Sequence, residues 1–303
     1  MQELRGKVAV VTGSGSGLGR GMAERFAREG MTVVVADRRL DAAQETVGLV
    51  ESAGGAALAA EVDVTDRAAV VALADRVDAE LGGAHVLVNN AGVISYSPLL
   101  EDEEQGWRWI VDVNLFGVVH GIQAFLPRML ERGEEGHVVN VASMAGVVGG
   151  GGVRANRITV GDGKAEFGAM YGYMATKTAI VGLTESLAGD LSGTPIGLSV
   201  LCPSHHDATH IFENSRVHRP ESAGGPMSDA EYQAVDGNTN AKRKETFGQT
   251  RLDRTPEECA ARVVRAIREG HFYVFTHPET RVAIEHRFSN LLAGFDDATD
   301  FAG

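Results

Sequence analysis

The sequence predicts an α/β protein whose core is a doubly wound parallel sheet of about seven strands, with helices on both faces. Short apolar runs rich in β-branched residues alternate with longer stretches of helical periodicity along most of the 303 residues. Most of these runs are apolar almost without interruption, which is typical of strands buried on both faces of a parallel sheet. The alternation implies right-handed crossovers, and these place helices on both faces.

Seven strands and six helices are expected to alternate along the chain. The strands are predicted at Val8–Val11, Thr32–Ala36, Ala56–Val62, Val86–Asn89, His137–Val141, Gly197–Leu201 and Phe272–Phe275. The helices are predicted at Leu18–Glu29, Ala42–Ser52, Ala68–Leu81, Glu103–Glu131, Met174–Leu191 and Pro256–Arg268. Residues 1–303 are expected to form one domain.

Two long stretches depart from this alternation. Gly146–Ala169 is rich in glycine and weakly periodic, and Ser204–Arg254 contains much of the histidine. Loops of this length in a compact fold are usually lids, binding loops or disordered segments. Residues 146–170 and residues 204–254 are therefore predicted to be long surface loops of one domain. Residues 277–303 are expected to be a C-terminal extension.

The composition argues against several functional classes. A net charge of −13 disfavours nucleic acid or an anionic membrane as the main partner. Two cysteines, Cys202 and Cys259, are too few for a disulfide scaffold and suggest a reducing compartment. No apolar run reaches membrane-spanning length, and the chain enters its first strand without a signal-peptide pattern. We therefore expect a cytoplasmic protein.

A glycine-rich turn, T-G-S-G-S-G-L-G, joins the first strand to the first helix. Gly13 is expected to make the tight turn, Gly17 to let a pyrophosphate approach the backbone, and Gly19 to let the helix pack closely. With Ser16 and Leu18, the turn would open a helix whose N-terminal N–H groups attract phosphate. A plain structural turn is the alternative.

Two acidic positions after neighbouring strands favour the phosphate cradle over the plain turn. Asp37 ends the second strand, eighteen residues past Gly19, where a carboxylate can accept hydrogen bonds from the ribose of NAD. Arg38 and the arginine after it favour instead the 2′-phosphate of NADP. NAD is the favoured cofactor, with NADP as the alternative. Asp63 follows the third strand, and with Val64 it is expected to contact the adenine.

Five spaced motifs resemble those of the classical short-chain dehydrogenase/reductase family, and they occur in that family's order. They are T-G-x-x-x-G-x-G at Thr12–Gly19, N-N-A-G at Asn89–Gly92, Asn114 in D-V-N-L, Ser143 in N-V-A-S, and Y-M-A-T-K at Tyr173–Lys177. Together they cover roughly the first two hundred residues. The resemblance implies a Rossmann fold, with Asn90, Ala91 and Gly92 at the cofactor.

Tyr173 and Lys177 lie four residues apart on one predicted helix and therefore share a face. A nearby ammonium favours the phenolate and lowers the pKa of a tyrosine toward neutral pH. The resemblance implies that Tyr173 exchanges a proton with the substrate oxygen and that Lys177 also holds the nicotinamide ribose. It further implies that Ser143 hydrogen-bonds the substrate and that Asn114 holds a water linking Lys177 to solvent. Taken singly, Ser143 is equally explained as a helix cap, and the Tyr–Lys pair as an exposed helix pair.

The sequence departs from the family pattern in two places. Thirty residues separate Ser143 from Tyr173, so the resemblance implies that residues 146–170 are an inserted loop near the active site. The additional residues are predicted within Arg154–Phe167, as a substrate lid or a subunit contact, and residues 204–254 are expected to be a substrate-binding loop or lid. After the sixth strand, Pro203 matches the family pattern but Ser204 replaces a glycine, and Thr209 is the candidate contact to the nicotinamide amide. His205, His206 and His210 follow, but no cysteine or carboxylate has convincing spacing for a metal site.

The stretch Glu269–Glu279 resembles an extended-tail subgroup that includes dehydrogenases of bulky aryl alcohols, such as Cα-dehydrogenases of lignin-derived ethers. That resemblance favours a bulky, partly aromatic secondary alcohol or ketone. Candidate substrate-binding residues are Ile94, Tyr96, Ser143, Met144, Val147 and Phe212, although packing in the core is an equal explanation for the apolar ones.

Three functions are compared. The favoured one is an NAD-dependent alcohol dehydrogenase or carbonyl reductase acting on a bulky secondary alcohol or ketone. An NADPH-dependent ketoreductase is the alternative supported by Arg38, and a non-catalytic dinucleotide-binding redox sensor is the third. The resemblance also implies a homotetramer or homodimer, formed mainly through the helices around Asn114 and Tyr173.

Overall fold

The computed structural model describes residues 1–94, 104–148, 158–159, 165–166, 170–204, 209, 211–226, 228 and 254–299. Nine strands lie in these ranges: β1 Val8–Thr12, β2 Thr32–Asp37, β3 Ala56–Glu61, β4 Val86–Asn89, β5 Gly136–Val141, β6 Ile158–Thr159, β7 Ala165–Glu166, β8 Ile196–Cys202 and β9 Tyr273–Phe275. Much of the two loops predicted at 146–170 and 204–254 lies outside the described residues.

Ten α-helices lie in the same part of the chain: α1 Gly17–Arg28, α2 Leu40–Ser52, α3 Arg67–Leu81, α4 Glu104–Val111, α5 Gly117–Arg132, α6 Met144–Val148, α7 Tyr171–Asp190, α8 Ile211–Val217, α9 Pro256–Glu269 and α10 Arg281–Thr299. A π-helical turn at Asp112–Phe116 joins α4 to α5. Short 3₁₀ turns occupy Glu221–Ala223 and Pro278–Thr280.

Seven strands form one parallel sheet in the order β3-β2-β1-β4-β5-β8-β9, which confirms the predicted fold class. Strands β6 and β7 form a separate antiparallel pair that the sequence analysis did not predict. The order of the sheet reverses between β1 and β4. In such sheets ligands bind at the carboxyl ends of the strands beside this reversal, so the fold places a crevice after β1 and β4.

The core has one layer on each face of the sheet. Alternate residues of a strand point to opposite faces, so Val11 packs toward α1 and α9 while its neighbour Val10 packs toward α3 and α5. Phe26 of α1 and Phe125 of α5 are fully buried in the two layers. Helices therefore cover both faces of a single domain.

The continuous helical stretch Glu104–Arg132 is long and apolar enough, by length and composition, to cross a membrane. It is not an uninterrupted apolar run, because polar residues such as Asp112, Asn114 and His120 lie within it. More than half of its most apolar window, 56%, is buried inside the protein. That burial is typical of a core helix, and α5 packs with α3 on one face of the sheet.

Two helices differ from the prediction. Helix α7 begins at Tyr171 rather than Met174, so that Tyr173 lies within its first turn. Helix α10 was not predicted at all, because its apolar residues do not form a single buried stripe: Ala283 and Ile284 pack on the core, whereas Phe288 and Phe295 are exposed.

Candidate active site

The glycine turn after β1 is built so tightly that side chains would not fit. Gly13 has a φ of +63° and Gly17 a φ of +56°, the left-handed region that favours glycine. A Cβ on Gly13 would lie 2.7 Å from the Cα of Ala91, and one on Gly19 would lie 2.3 Å from the carbonyl oxygen of Gly13. Gly19 therefore allows the helix to approach the turn itself.

The N-terminus of α1 faces the crevice, and its own first turn contributes no anion. Ser16 occupies the N-cap position in extended conformation, and its side chain makes no capping hydrogen bond. The first turn of α1 contains no acidic residue. The N–H groups and the positive end of the helix dipole are thus available to a phosphate group.

Replacing Gly19 by alanine is expected to destabilise the protein by about 2 kcal/mol or more, because overpacking of a closed site costs this much. The matched control is Gly48→Ala: Gly48 is exposed in the interior of α2, and a Cβ at this position would have nothing within 4 Å. There the substitution is expected to stabilise by about 0.5–1 kcal/mol through helix propensity. Urea unfolding of both variants measures the two free energies, and equal effects at the two positions would contradict this account of the turn.

Asp37 connects the glycine turn to the end of β2. One carboxylate oxygen accepts a hydrogen bond from the backbone N–H of Gly15 at 2.9 Å, and the other accepts from the N–H of Arg39 at 3.0 Å. Arg38 donates from its guanidinium to the carbonyl oxygen of His218 at 3.1 Å. The carboxylate is thus held at the mouth of the turn, with two arginines beside it.

The segment after β4 is hydrogen-bonded to the glycine turn after β1. The side-chain amide of Asn90 donates to the carbonyl oxygens of Thr12 and Gly13 at 2.8 and 3.0 Å. In return, the hydroxyl of Thr12 accepts hydrogen bonds from the N–H groups of Asn90 and Ala91. The carboxyl ends of β1 and β4 therefore form one rigid unit.

A cleft of about 820 Å³ opens at these strand ends, within the size range of ligand and cofactor sites. All sixteen residues that the sequence assigned to the cofactor line it: Gly13, Ser16, Gly17, Leu18, Gly19, Asp37, Arg38, Asp63, Val64, Asn90, Ala91, Gly92, Tyr173, Lys177, Pro203 and Thr209. The carboxylate of Asp63 accepts hydrogen bonds from the N–H and the hydroxyl of Thr65. Val64 packs against Trp109.

Asn114 lies on the π-helical turn, fully buried. Its amide donates to the carbonyl oxygen of Val93 at 3.0 Å, and its side-chain oxygen accepts from the N–H of Val93 at 2.8 Å. Its amide also donates to the hydroxyl of Thr176, one residue before Lys177. A π-turn is frequent at functional sites because it redirects a side chain, and here it directs Asn114 toward the floor of the cleft.

Lys177 is buried at the floor of the cleft, and its ammonium donates to the carbonyl oxygen of Val141 at 2.9 Å. Burial lowers the pKa of Lys177 to about 8, with the Cys202 thiol as a smaller, opposing influence. A Cβ on Gly92 would lie 3.4 Å from the Lys177 nitrogen and 3.3 Å from the Asn114 side-chain oxygen. These two polar atoms therefore converge on Gly92.

Tyr173 stands one helical turn before Lys177, and the ammonium lies 5.7 Å from the centre of its ring. The ring is 9% exposed and packs with Ile94 and Ile110. Ser143 is also buried, and its hydroxyl accepts from the N–H of Ala145 at 3.1 Å. Ser143 thus caps α6, the role that the sequence analysis gave as its alternative.

The structure separates the predicted substrate residues. Ile94 and Phe212 pack in the apolar cluster that contains Tyr173. Met144 and Val147 instead pack with Ile180 and the C-terminal helix in a core cluster and do not line the cleft. The short helix α6 turns these two apolar side chains inward, and a contact between them and a substrate stays a prediction. Tyr96 lies outside the described residues.

Several supporting residues were missed by the sequence analysis. Asn89 donates to Asn140, and Asn140 donates to Thr184, so a buried polar chain crosses β4, β5 and α7 beneath the cleft. Asparagines within apolar strands were the available signal. The N–H of Ser204 donates to the hydroxyl of Thr276, which holds the loop after β8.

Neither cysteine is among the residues that line the cleft. Cys202 and Cys259 are free and buried, and burial raises the pKa of each thiol to about 12. Within the described ranges, no three histidine, cysteine or acidic side chains are grouped as metal ligands would be. His205, His206 and His210 lie outside those ranges.

The fold and the cleft define a nucleotide-binding α/β protein with a Tyr–Lys pair at the floor of its site. A family model described as short chain dehydrogenase matches residues 7–155. The Cα-dehydrogenase of Sphingobium sp. strain SYK-6 is 32% identical over 294 residues, which cover 96% of this chain and 87% of that protein. The chain therefore belongs to the short-chain dehydrogenase/reductase family and is an oxidoreductase, which confirms the resemblance found in the sequence.

Two further comparisons extend the similarity over nearly the whole chain. The 1-deoxy-11-beta-hydroxypentalenate dehydrogenase of Streptomyces exfoliatus is 31% identical over 290 residues, covering 95% of this chain and 89% of that protein. The crystal structure of a short-chain dehydrogenase/reductase from Burkholderia phymatum in complex with NAD superposes with a TM-score of 0.81. It is 35% identical and covers 97% of each chain.

Proposed function

We propose that the protein interconverts a secondary alcohol and a ketone, using a nicotinamide dinucleotide, with NAD preferred over NADP. The observation that carries the proposal is the convergence of Lys177 and Asn114 on Gly92, beside Tyr173 and in the cleft that contains the glycine turn. The cofactor supplies the hydride acceptor or donor. The residues of the turn fit a dinucleotide, because Gly13 and Gly19 leave no room for a Cβ and the N-terminus of α1 is open.

In this proposal, Tyr173 moves the proton at its phenolic oxygen to or from the substrate oxygen. The ammonium of Lys177, one turn further on, favours the phenolate and makes Tyr173 a better base near neutral pH. Lys177 also holds the nicotinamide ribose. Ser143 orients the substrate oxygen by donating its hydroxyl proton, which here points to the carbonyl oxygen of Pro203 at 3.4 Å, and its oxygen can still accept from the N–H of Ala145. Asn114 holds a water that connects Lys177 to solvent.

The preference for NAD rests on Asp37. Its carboxylate is fixed by two backbone N–H groups at the mouth of the turn, where it can accept from ribose hydroxyls and repel a 2′-phosphate. The guanidinium groups of Arg38 and Arg39 beside it support NADP as the second candidate. One of them, Arg38, is engaged with the backbone of His218.

Replacing Asp37 by alanine is expected to lower the ratio of NADP(H) to NAD(H) dissociation constants about tenfold or more, since a hydrogen bond to a charged group contributes about 1.5–3 kcal/mol. Asp41→Ala removes the same charge from the first turn of α2, outside the cleft, and is the matched control. Titration of both variants with NADH and NADPH measures the ratio. An unchanged ratio in Asp37→Ala would assign the choice of cofactor to the arginines.

A bulky, partly aromatic or hydrophobic substrate is proposed from the similarity to a Cα-dehydrogenase and to a dehydrogenase of a hydroxypentalenate. Ile94 and Phe212 beside Tyr173 would contact it. We further infer a cytoplasmic homotetramer or homodimer. Phe116 lies on the same π-turn as Asn114 and is 47% exposed, which supports a subunit contact there.

The experiment that tests the proposal follows nicotinamide absorbance with a panel of secondary alcohols, under NAD⁺ and NADP⁺ in parallel. Turnover of bulky aryl alcohols with NAD⁺ is the expected result. Turnover with NADP⁺ alone would favour the ketoreductase. Cofactor binding without turnover across the panel would favour the redox sensor.

A further inference from the structure

The motif F-T-H-P at residues 275–278 overlaps the end of β9, at the carboxyl edge of the sheet. The last residues of β8 and β9 pair in parallel register, so the residues that follow these strands lie side by side. Thr276 is therefore a neighbour of Pro203, which lines the cleft. Thr276 and His277 are buried, at 1% and 0% exposure, and neither lines the cleft itself. They reach the site through the residues that they contact.

Thr276 holds the loop that follows β8. Its hydroxyl oxygen accepts a hydrogen bond from the N–H of Ser204 at 3.2 Å and lies 2.7 Å from Nδ1 of His277. The hydroxyl has one proton to donate, and Nδ1 accepts it when the imidazole carries its own proton on Nε2. In this tautomer a continuous chain of donors runs from the backbone of Ser204 to a fully buried side chain.

The same loop provides the hydrogen-bond acceptor of Ser143. The hydroxyl of Ser143 donates to the carbonyl oxygen of Pro203 at 3.4 Å, and the N–H of Met144 donates to the same oxygen at 2.9 Å. This carbonyl and the N–H of Ser204 belong to one peptide group, which is planar. Because Thr276 holds the N–H, it also fixes the direction of the carbonyl that Ser143 faces.

The residues after the motif hold helix α6, which begins directly after Ser143. At the start of α6, the hydroxyl of Thr280 donates to the sulfur of Met144 at 3.6 Å. At its end, the guanidinium of Arg287 donates to the carbonyl oxygen of Gly146 at 3.4 Å. The last carbonyl groups of a helix have no partner within it, so this contact stabilises a helix of only five residues. The C-terminal residues thus contact both sides of Ser143.

We propose that Thr276 and His277 are positioning residues, which hold the hydroxyl of Ser143 at the site through the peptide group of Pro203 and Ser204. This role rests on that of Ser143 in the proposed function. The bond from Ser143 to Pro203 is long for two oxygens, so a substrate oxygen can take the proton while the serine keeps its direction. Attachment of β9 does not need the polar pair, because Val274 is already buried in the core.

The first test compares Thr276→Val, which removes the hydroxyl and keeps the branched shape, with Thr276→Ser, which keeps the hydroxyl. Stopped-flow absorbance measures the single-turnover rate of nicotinamide reduction, with the cofactor and the secondary alcohol of the panel that the wild type uses fastest. Thr276→Val is expected to lower this rate about tenfold, the equivalent of one hydrogen bond, and Thr276→Ser less than about threefold. The dissociation constant of NADH is expected to stay within about twofold in both, because the glycine turn is untouched.

Thr194→Val is the matched control at the opposite end of β8. The hydroxyl of Thr194 likewise accepts from a backbone N–H, that of Ile196 at 3.3 Å, and donates to the carbonyl oxygen of Leu191 at 2.8 Å. Its loss is expected to leave the single-turnover rate within about twofold of wild type. A loss as large as that of Thr276→Val would indicate general loosening of β8 and would overturn the proposal.

The second test uses two replacements of His277. Asparagine keeps an acceptor near the position of Nδ1, whereas glutamine carries its polar group further out, near the position of Nε2. His277→Asn is expected to stay within about threefold of the wild-type rate, and His277→Gln to lose roughly three- to tenfold, because only the first preserves the bond to Thr276. Equal losses in the two variants would contradict the proposed bond.

Circular dichroism shows which variants fold, and His277→Gln keeps the test decisive if Thr276→Val does not. Wild-type single-turnover rates in folded Thr276→Val or His277→Gln would overturn the proposal and leave the proposed function intact. A weaker affinity for NADH without any change in the single-turnover rate would also overturn it, since the loop would then act on the cofactor. If the wild type turns over no alcohol of the panel with either cofactor, the proposed function is wrong and this role falls with it.

Discussion

Tyr173→Phe is expected to lower the turnover number by roughly 10²–10⁴-fold, the usual contribution of a positioned acid–base group. The substitution removes only the phenolic oxygen, so the ring keeps its packing against Ile94 and Ile110. Stability and cofactor affinity are therefore expected to stay near wild type. The loss should appear in the turnover number rather than in the Michaelis constant, because proton transfer belongs to the transition state.

The matched control is Tyr171→Phe, which removes the same oxygen two residues earlier on α7. Tyr171 is only partly buried and does not line the cleft. Nicotinamide absorbance measures turnover, and NADH fluorescence measures binding in both variants. If Tyr173→Phe retained more than about a tenth of the wild-type rate, Tyr173 would not be the acid–base group; a similar loss in Tyr171→Phe would indicate a structural effect of α7.

Lys177→Met is expected to abolish turnover and at the same time to stabilise the cofactor-free protein by about 2 kcal/mol at pH 7. The pKa of Lys177 falls from 10.5 to about 8 because folding removes the ammonium from water. A difference of this size corresponds to about 3 kcal/mol at pH values below both pKa values. The lost hydrogen bond to the carbonyl oxygen of Val141 offsets about 1 kcal/mol of the gain.

The stabilisation expected for Lys177→Met decreases as pH rises. Between pH 8 and 10.5 the unfolded wild type binds more protons at this lysine than the folded protein does, so its free energy of unfolding rises with pH. The advantage of Lys177→Met is therefore greatest below pH 8 and is lost as pH rises through 10.5. Urea unfolding at several pH values measures it.

Lys7→Met is the control for Lys177→Met. Lys7 is partly exposed and pairs with Glu134 on the surface, where an ion pair contributes little. Its replacement is expected to change stability by less than about 0.5 kcal/mol at any of these pH values. A destabilised Lys177→Met at pH 7 would mean that the ammonium is better solvated in the folded protein than its burial indicates.

Lys177→Met is expected to lower turnover but to raise stability, and these opposite effects reflect a general conflict between stability and activity. Burying an ammonium lowers the free energy of unfolding, yet in the proposed mechanism its charge must lie beside Tyr173 at the buried floor of the cleft. The polar chain beneath it, from Asn89 through Asn140 to Thr184, and the hydrogen bond to Val141 keep the site rigid around the charge. The floor of the cleft is thus stabilised by its surroundings rather than by the lysine.

Much of the site is readable from local sequence because its parts are short and each has its own physical signature. Gly13 and Gly19 lie where a Cβ would meet backbone, and Asp37 follows a continuous run of buried valines. Parallel strands place such loops at one edge of the sheet. Residues far apart in sequence that are predicted to contact the cofactor therefore line one cleft.

Other features depended on distant packing and could not be predicted in this way. Met144 and Val147 have the same apolar character as Ile94, yet α6 turns them toward Ile180 and the C-terminal helix. The π-turn that directs Asn114 to Val93 has no local signature, because its extra residue per turn is decided by what the side chain contacts.

Local sequence is sufficient to predict the parallel α/β sheet, the glycine turn and the spaced motifs, because hydrophobic periodicity and glycine chemistry act over a few residues. The tertiary structure alone decided that residues 211–225 lie over the cleft, that α10 packs on α6, and that the ammonium of Lys177 is buried. The two kinds of feature differ in the distance along the chain over which their causes act. Burial and the contacts of a long loop are set by elements a hundred or more residues away, whose surfaces a local pattern does not describe.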